Sequence, residues 1–402
     1  MITCLYDRPG GRNSSPLAGG RQPHLDTLRG VSTAQATGSA QDQQLLEAAR
    51  GGNQDAFRRL VEAHRGELHA HCYRMTGSVH DAEDALQDAM LRAWRGIGRF
   101  EGRSSLRSWL YTIATNTCLD LIGRRPKRVL PVDYGPEADP HEPPGKPVVE
   151  SAWVEPYPDE QLGLEDGYAA PEARYEQREA VELSFIAAIQ HLPANQRAVL
   201  VMREVLGFSA KETAEALETT TASVNSALQR ARKTVEERTP EQSQQATLRS
   251  LGDDRVREIV ESYVDAWQRG EVDEVVGLLA EDASFSMPPM STWYRGREGI
   301  ATWMRNSPLS GDFRWRPLLT HANGQPTLAF YSWDPEEDAY IPFALNVLSF
   351  EGEKIKDVTA FIARSSQDPD PEVQAQTPYQ PTDYQKLAEA YERFGLPERL
   401  EE

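Results

Sequence analysis

Cysteine is scarce in this chain. Its three cysteines, Cys4, Cys72 and Cys118, are scattered over 402 residues without the spacing of a metal site. Thiols that are few and unpatterned are typical of a reducing compartment. We therefore predict a cytoplasmic protein without a metal site, and nothing in the sequence indicates a cofactor.

Long apolar runs are also missing. No stretch of eighteen apolar residues occurs, so no membrane span is expected, and the first 24 residues lack the apolar core of a secretory signal. Hydrophobic residues make up 39% of the chain, and there are 27 prolines. This composition predicts two to four domains with long segments outside the cores.

The chain as a whole lacks an excess of positive charge. Its net charge of −19 argues against binding nucleic acid, since phosphates attract lysine and arginine. The charges are segregated, however. Residues 92–128 hold nine basic side chains against Glu101 and Asp120, a balance of +7, whereas residues 131–182 hold fourteen acidic against three basic ones, a balance of −11. A basic surface within an acidic chain therefore remains possible.

Helical periodicity dominates residues 41–128, after a Gly-, Ser- and Pro-rich stretch at 1–40 that we expect to be disordered. The segment "DAEDALQDAMLRAW" carries one apolar stripe, consisting of Ala82, Leu86, Ala89 and Ala93. A second amphipathic helix follows in "SLRSWLYTIATNTCLDLIGRR" and ends at a basic cluster before Pro126.

A second helical region follows an acidic, proline-rich linker at 129–170, and it covers residues 171–238. Ser209 and Glu212 form a capping box that opens one short helix. After the break "ETT", the segment "TASVNSALQRARKTV" repeats apolar residues at helical spacing and is polar and basic elsewhere. Two short helices joined by a tight turn are typical of a helix-turn-helix, although the polar face also fits an ordinary solvated helix.

The C-terminal third changes character after a polar connection at 239–252. Two predicted helices lead into a strand, followed by a short helix and the β-type runs "FRWRPLLT", "QPTLAFYSW", "YIPFALNVLSF" and "KIKDVTAFIA". The turn "EGEK" between the last two runs indicates a hairpin. We predict an α+β domain at 253–366 and a tail at 367–402 that contains one last helix.

Aromatic, arginine and serine side chains alternate in "FEGRSSLRSWLYTIATN". Single-stranded bases need flat surfaces, hydrogen bonds and cations for the backbone, and this mixture supplies all three. Trp109 and Tyr111 also fit a protein core. Phe100, Arg103, Ser104 and Ser105 lie in a loop-like stretch and are the better candidates for base contact.

The two helical regions together resemble a bacterial RNA polymerase sigma factor of the extracytoplasmic-function (ECF) group. The resemblance covers residues 41–238, with "DAEDALQDAMLRAWRGIGRFEGRSSLRSWLYTIATNTCLDLIGRR" and "LPANQRAVLVMREVLGFSAKETAEALETTTASVNSALQRARKTV" in the family's order and spacing. It implies a region 2 at 41–128 that binds core polymerase and the −10 element, and a region 4 at 171–238 that binds the −35 element. Many members carry basic residues where Asn225 and Ala227 stand here, so an altered −35 preference is expected.

The resemblance also implies roles for individual residues. The face that binds the clamp of core polymerase would be formed by Asp81, Glu83, Asp84, Gln87, Asp88 and Arg92, and region 4 would contact the flap. The −10 element would be read by Phe100, Arg103, Ser104, Ser105, Arg107, Asn116, Asp120, Arg124 and Arg125. The −35 element would be read by Thr220, Ser223, Asn225, Ser226, Gln229, Arg230 and Arg232.

The C-terminal domain resembles the SnoaL-like, NTF2-type cone fold, which some sigma factors of this group carry. The resemblance rests on "VESYVDAWQRGEVDEVVGLLAEDASFSMPP" and the strand order. Some members use carboxylates or histidines in the cone for acid–base chemistry, a role that Asp282 or His321 would take. A lone acid at a strand entry and a lone histidine are more often structural, so we predict no catalysis.

The linker sequence "SAWVEPYPDEQL" contains two aromatic residues that a spacer does not need, Trp153 and Tyr157. In the resembling family this connection passes through the channel by which nascent RNA leaves, and acidic charge there mimics phosphate. The aromatics would either anchor the linker in a polymerase groove or pack against the C-terminal domain in the free protein. We favour the second, because prolines stiffen the peptide around them.

The sequence thus predicts two all-α DNA-binding domains, the second with a helix-turn-helix, followed by an α+β cone domain. The function implied is that of a non-enzymatic sigma factor, regulated in cis by its C-terminal domain through intramolecular contacts with the sigma regions. A helix-turn-helix regulator with a ligand-sensing domain is the competing interpretation, and it requires no polymerase-binding face. A DNA-tethered enzyme is a third and rests on the cone fold alone.

Overall fold

The structure, a computed structural model, describes residues 40–145, 147–148, 152–162, 177–363 and 390–401. The predicted disorder of residues 1–39 lies outside these ranges, as do residues 163–176 of the predicted linker and region 4. Most of the predicted last helix is also outside them, although residues 390–392 are helical. No helix in the described ranges is long and apolar enough to cross a membrane.

Five helices form the N-terminal unit: α1 (Ala40–Arg50), α2 (Gln54–Glu62), α3 (Arg65–Thr76), α4 (Val79–Gly96) and α5 (Leu106–Ile122). The stripe predicted in α4 is buried, and Ser78 caps that helix by accepting the backbone N–H of Asp81 at 3.1 Å. Helix α3 is buried from Leu68 to Thr76, so it forms the centre of the unit.

Four helices form the second unit. They are α6 (Leu183–Gln190), α7 (Ala194–Leu200), which continues into a π-helical turn at Val201–Val205, α8 (Ala210–Ala216) and α9 (Thr221–Glu236). The predicted capping box is present, since Ser209 and Glu212 exchange backbone-to-side-chain hydrogen bonds of 2.8 and 3.1 Å. Helices α8 and α9 are joined by a tight turn in which Glu218 has a positive φ of 49°.

The two helical units share one apolar core. Gln190 at the end of α6 donates to the carbonyl of Arg74 at 3.1 Å, and Arg74 donates to the carbonyl of Ala180 at 3.0 Å. Gly77, at the left-handed end of α3, leaves room for the Gln190 side chain, because a β-carbon at Gly77 would lie 2.9 Å from it. The first unit is therefore in direct contact with the second.

The C-terminal domain is built from helices α10 (Gln244–Leu251), α11 (Asp253–Arg269), α12 (Val272–Gly277) and α13 (Gly296–Asn306), and a six-stranded sheet. Its strands are β1 (Leu279–Ser286), β2 (Trp293–Arg295), β3 (Trp315–Ala322), β4 (Gln325–Asp334), β5 (Ala339–Glu351) and β6 (Lys354–Ile362). The sheet order is β2-β1-β6-β5-β4-β3, with β1 and β6 parallel and the other pairs antiparallel. The predicted α+β class and the β5–β6 hairpin are confirmed.

Helix α10 lies in the stretch that the sequence predicted as a plain connection. Its first residue explains why it is ordered there. The Gln244 side chain donates to the carbonyl of Phe350 at 3.0 Å and accepts the Phe350 N–H at 2.7 Å, as a neighbouring strand would. A long-range pairing of this kind leaves no local sequence pattern.

Both faces of the sheet are covered, which explains its nearly continuous apolar strands. Along β4, Leu328 and Phe330 face the inner core with helices α11–α13, whereas Ala329 and Tyr331 belong to the core shared with the sigma-like helices. The outer face of the sheet is thus part of the same apolar core as α3 and α6.

The segment at 390–401 completes this outer face. The ring of Tyr391 is fully buried, and its hydroxyl lies 2.9 Å from the carbonyl oxygens of Phe330 and Ala344 and accepts the Phe343 N–H at 3.2 Å. One tyrosine therefore links the end of the chain to two adjacent strands.

We predict that Tyr391→Ala lowers the free energy of unfolding by about 3–5 kcal/mol, because it leaves a large cavity and unpaired strand carbonyls. Tyr391→Phe removes the hydroxyl alone and should cost about 1–2 kcal/mol. Leu319→Ala, at a half-exposed position of β3, serves as the control and should change the value by less than about 0.5 kcal/mol. Urea unfolding measures all three, and equal effects of the two Tyr391 changes would contradict the packing role.

Candidate nucleic-acid interface

Helix α9 presents a polar face to solvent. The side chains of Ser223, Asn225, Ser226, Gln229 and Arg230 are exposed, whereas the apolar stripe Val224, Leu228, Ala231 and Val235 is buried. Thr220, also exposed, caps the helix by accepting the Ser223 N–H at 3.1 Å. Short hydrogen-bonding side chains near a helix N-terminus are what readout of bases in the major groove requires.

Two positions on α9 differ from the sequence expectation. Arg232 points inward and forms an ion pair with Glu204, which is 3% exposed. Ala227 is buried, so the lack of a basic residue there removes no solvent-facing cation, and only Asn225 of the two unusual positions is exposed. Arg232 therefore holds α9 against the π-helical turn in this conformation.

The loop before α5 holds the exposed part of the predicted −10 set. Arg103, Ser104 and Ser105 are exposed, and Ser105 caps α5 by accepting the Ser108 N–H at 3.0 Å. Phe100 is only 8% exposed, because it packs against Trp109 with ring centroids 5.0 Å apart and the Arg50 guanidinium covers its face at 5.7 Å. In this conformation Phe100 is not available to a base.

The remaining residues of that set lie on or after α5, and several are engaged. Arg107 pairs with Glu67 at 3.0 Å and stacks on a tyrosine ring, and Asp120 pairs with Arg92 at 2.8 Å. Asn116 donates to the carbonyl of Ala216 in α8 at 3.3 Å. Arg124 and Arg125 are exposed at the basic end of α5.

The predicted polymerase-binding residues of α4 differ in their exposure and in their contacts within the protein. Asp84, Gln87, Asp88 and Arg92 are exposed. Asp81 is buried and pairs with Arg128 at 2.7 Å and with Arg125 at 3.4 Å. Glu83 lies 3.7 Å from Arg393 of the C-terminal segment. The structure therefore leaves four of the six predicted polymerase-binding residues open to solvent.

The linker aromatics are both buried, at different places. Trp153 packs against Tyr134 with ring centroids 5.1 Å apart, and its carbonyl accepts from Arg128 at 2.7 Å. Tyr157 lies between α3 and the C-terminal domain. Its hydroxyl is 2.8 Å from Nδ1 of His69, and burial lowers the pKa of that histidine to about 4.

Glu155 lies between these aromatics and caps α4 from outside the helix. Its carboxylate accepts the Val79 N–H at 2.9 Å and the Ser78 hydroxyl at 2.8 Å, and it pairs with Arg128 at 3.2 Å. Burial opposes ionisation, but the hydrogen bond from His80 and the charge of Arg128 outweigh it, so the pKa of Glu155 is lowered. A carboxylate at a helix N-terminus is stabilised by the helix dipole.

Comparisons with known proteins agree with this architecture. Residues 60–128 match the family Sigma-70 region 2, residues 182–235 match Sigma-70, region 4, and residues 260–358 match the SnoaL-like domain. The ECF RNA polymerase sigma factor SigG of Mycobacterium tuberculosis is 41% identical over 322 residues, which cover 76% of this chain and 81% of that protein. SigM of the same organism is 32% identical over 48% of this chain and 81% of its own length.

The chain belongs to the ECF RNA polymerase sigma factors. It directs promoter-specific transcription initiation, and this interpretation is preferred to a helix-turn-helix regulator with a sensor domain. Among solved structures, the crystal structure of Mycobacterium tuberculosis SigJ, an extracytoplasmic function sigma factor, has a TM-score of 0.47 and 20% identity, covering 79% of this chain and 98% of that one.

Sequence reasoning missed the residue that joins the three parts of this sigma factor. Asn323, in the β3–β4 hairpin, donates its backbone N–H to the carbonyl of Tyr157 at 2.8 Å, and its side-chain oxygen Oδ1 accepts the Tyr157 N–H at 2.9 Å. Its amide also donates to the carbonyl of Val181 at 2.7 Å and to the hydroxyl of Tyr73 at 2.9 Å. The Asn-Gly pair at 323–324 was a visible hairpin signal, but no local pattern predicts what the hairpin contacts.

We predict opposite behaviour for two neighbouring arginines of α9. Arg232→Ala removes an ion-pair partner of the buried Glu204 carboxylate and should lower the free energy of unfolding by about 1.5–3 kcal/mol. Arg230→Ala truncates an exposed side chain on the polar face of α9 and should change the free energy of unfolding by less than about 0.5 kcal/mol. Thermal or urea unfolding of both variants measures the difference, and an Arg232→Ala protein as stable as wild type would contradict a structural role.

Proposed function

We propose that this sigma factor is closed in the free state and that its C-terminal domain holds it closed. The supporting observation is the contact between the two promoter-binding units, including the hydrogen bond from Asn116 to Ala216. The −10 and −35 elements lie about 25 base pairs apart, which is about 85 Å at 3.4 Å per base pair. Units in direct contact cannot reach both elements together, so the regions must separate on the polymerase.

The C-terminal domain and linker stabilise the closed form in this proposal. Asn323 binds α3, the linker and the start of region 4 at once, and Tyr157 fills the space between them. A buried polar cluster that is fully paired costs several kcal/mol to open. Intramolecular contacts of this kind would do in cis what a separate anti-sigma protein does in trans.

Base recognition is assigned to the exposed residues of each unit. We propose that Asn225, Ser226 and Gln229 contact base edges of the −35 element, with Arg230 on the phosphates. In the −10 unit, Arg103, Ser104 and Ser105 would contact the melted strand first. A base can reach Phe100 only after Arg50 moves from its face, and stacking there would offset part of the cost of unstacking the base.

Core polymerase would be bound on the open part of α4. Asp84, Gln87, Asp88 and Arg92 form the proposed contact with the clamp, and region 4 would contact the flap. Glu83 pairs with Arg393 of the C-terminal segment, so we assign it to the closed form, whereas Asp81 is buried in a pair with Arg128 within region 2 itself. The location proposed is the cytoplasm, where polymerase works.

The C-terminal domain is proposed to regulate without catalysis. Asp282 is exposed and pairs with Lys356, whose charge and hydrogen bond lower the pKa of that carboxyl. His321 is exposed on the edge strand β3. Asp282 lies on β1, and three strands, β6, β5 and β4, separate β1 from β3. The two candidates for acid–base chemistry do not share a site.

The domain boundaries of the sequence prediction are retained in the proposal. Region 2 covers 41–128, the linker 129–170 and region 4 171–238. The stretch 239–252, which contains α10, leads to the SnoaL-like domain at 253–366, α10 packs on that domain, and the tail at 367–402 contributes its last described segment to it.

The promoter assignment is tested by sequencing transcripts made when this chain is the only sigma factor supplied to core polymerase. Transcript starts should share one −35 and one −10 sequence. Asn225→Ala should relax the preference at one −35 position, by about 5- to 150-fold in relative promoter use, since a good base contact contributes about 1–3 kcal/mol. Glu236→Ala, exposed at the far end of α9, is the control and should leave the preference unchanged.

The cis-regulation proposal is tested with Asn323→Gly. Glycine keeps the positive φ of 57° at this position, so the change removes the side chain without straining the hairpin. Transcription at limiting core polymerase should rise several-fold, and proteolysis within 152–162 should become faster. Gln268→Ala, an exposed amide on α11, is the control. Faster proteolysis with unchanged or reduced transcription would sink the proposal.

A further inference from the structure

The cone of the C-terminal domain encloses a cavity of about 120 Å³. Its floor is formed by Trp267, Phe330 and Asn346, under the curved sheet. Its rim is formed by Pro308 and Phe313 on one side and by Pro144 of the acidic linker on the other. An engineered apolar cavity of about 150 Å³ is known to take up benzene, so the volume here suits a small ring compound.

The cavity walls are aromatic and uncharged. No aspartate, glutamate, lysine, arginine or histidine is among the described residues that line it. The Trp315 ring meets Phe343 edge-on with centroids 5.0 Å apart, and Trp267 meets Phe330 in the same manner at 4.9 Å. Edges and faces arranged in this way favour an aromatic guest, and an ionic one would lose its hydration without compensation.

Buried polar atoms in the wall lack a partner among the described residues, among them the acceptor Oδ1 of Asn346 and the donor Nε1 of Trp303. Asn346, in the middle of β5, is 3% exposed, and its side-chain oxygen Oδ1 is buried without a hydrogen bond from any described residue. A buried acceptor left unpaired is destabilising, because it has lost its hydrogen bonds to water. A guest that carries an O–H or N–H group would remove this cost.

The linker closes one side of the opening along the edge strand β2. The N–H of Ala138 donates to Trp293 at 2.9 Å, that of Gly145 to the Thr292 hydroxyl at 2.8 Å, and that of Val148 to Pro289 at 2.9 Å. These three bonds hold Pro144 at the cavity rim. A guest entering or leaving here must displace this part of the linker.

We propose that the cone cavity binds a small neutral aromatic molecule with one hydrogen-bond donor, of the phenol or indole class, and that binding loosens linker residues 135–145 and 147–148. The donor pairs with Oδ1 of Asn346, and the ring packs against the aromatic walls. The proposed binding of the ligand does not depend on the proposed cis regulation. Its effect on transcription rests on the proposed cis regulation, because the same linker carries Trp153 and Tyr157.

Binding is tested on the full chain by titration calorimetry with phenol, indole, benzene and benzoate. We expect saturable binding of phenol and indole, one per chain, and none of benzoate. Asn346→Leu, which removes the acceptor at nearly constant volume, should weaken phenol about tenfold and leave benzene unchanged or tighter. Ala360→Leu fills the cavity and should abolish or weaken the binding of phenol, indole and benzene. Ala360→Val is a milder substitute if the leucine variant does not fold.

Three results would overturn the ligand site. They are the absence of saturable phenol and indole binding in the wild type, an equal loss of phenol and benzene in Asn346→Leu, and undiminished binding in a folded Ala360 variant. Binding of benzoate as tight as phenol would overturn the neutral class of ligand.

Coupling is measured by hydrogen exchange and then by transcription. Saturating phenol should speed exchange at the amides of Ala138, Gly145 and Val148 in the wild type and not in Ala360→Leu. Binding without this change overturns the coupling. Faster exchange together with unchanged transcription supports the site and the coupling but overturns the proposed cis regulation, so the two failures are distinguishable.

Discussion

The hydrogen-bonded junction at Asn323 and Tyr157 is the constraint on which the arrangement of this sigma factor depends. It joins a hairpin of the C-terminal sheet, the linker and the central helix of region 2 in one buried place. Each of these groups would be an unpaired polar atom in an apolar core if one partner left. Under the proposed cis regulation, opening the sigma factor would therefore break these bonds together.

Much of the fold could be predicted from the sequence because its signals are local. The stripes of α4 and α9, the Ser209 capping box and the β5–β6 hairpin are each contained in a short window, and the structure has them where they were expected. What could not be predicted depends on residues far apart in sequence. Arg232 looks like a DNA contact until Glu204 is known to lie beneath it. Likewise, no sequence pattern near Gln244 predicts that its side chain pairs with Phe350, 106 residues later in β5.

The acidic linker has a second use for its charge. The phosphate mimicry that the family resemblance implies for the RNA channel would need negative charge without a particular geometry. In this structure the Glu155 carboxylate has a defined position, since it accepts a backbone N–H at the N-terminus of α4 and pairs with Arg128. The same carboxylate can thus stabilise the free protein and remain available for another cation once the linker is released. The same acidic residues would then serve both in the free protein and on the polymerase.

The two-sided sheet limits how this domain can be exchanged between proteins. Ala329, Tyr331 and Leu345 give the outer face of the sheet an apolar surface that the sigma regions cover. Moved to another polypeptide alone, the domain would present this surface to solvent and tend to aggregate. The apolar outer face therefore ties the stability of this domain to the sigma regions that cover it.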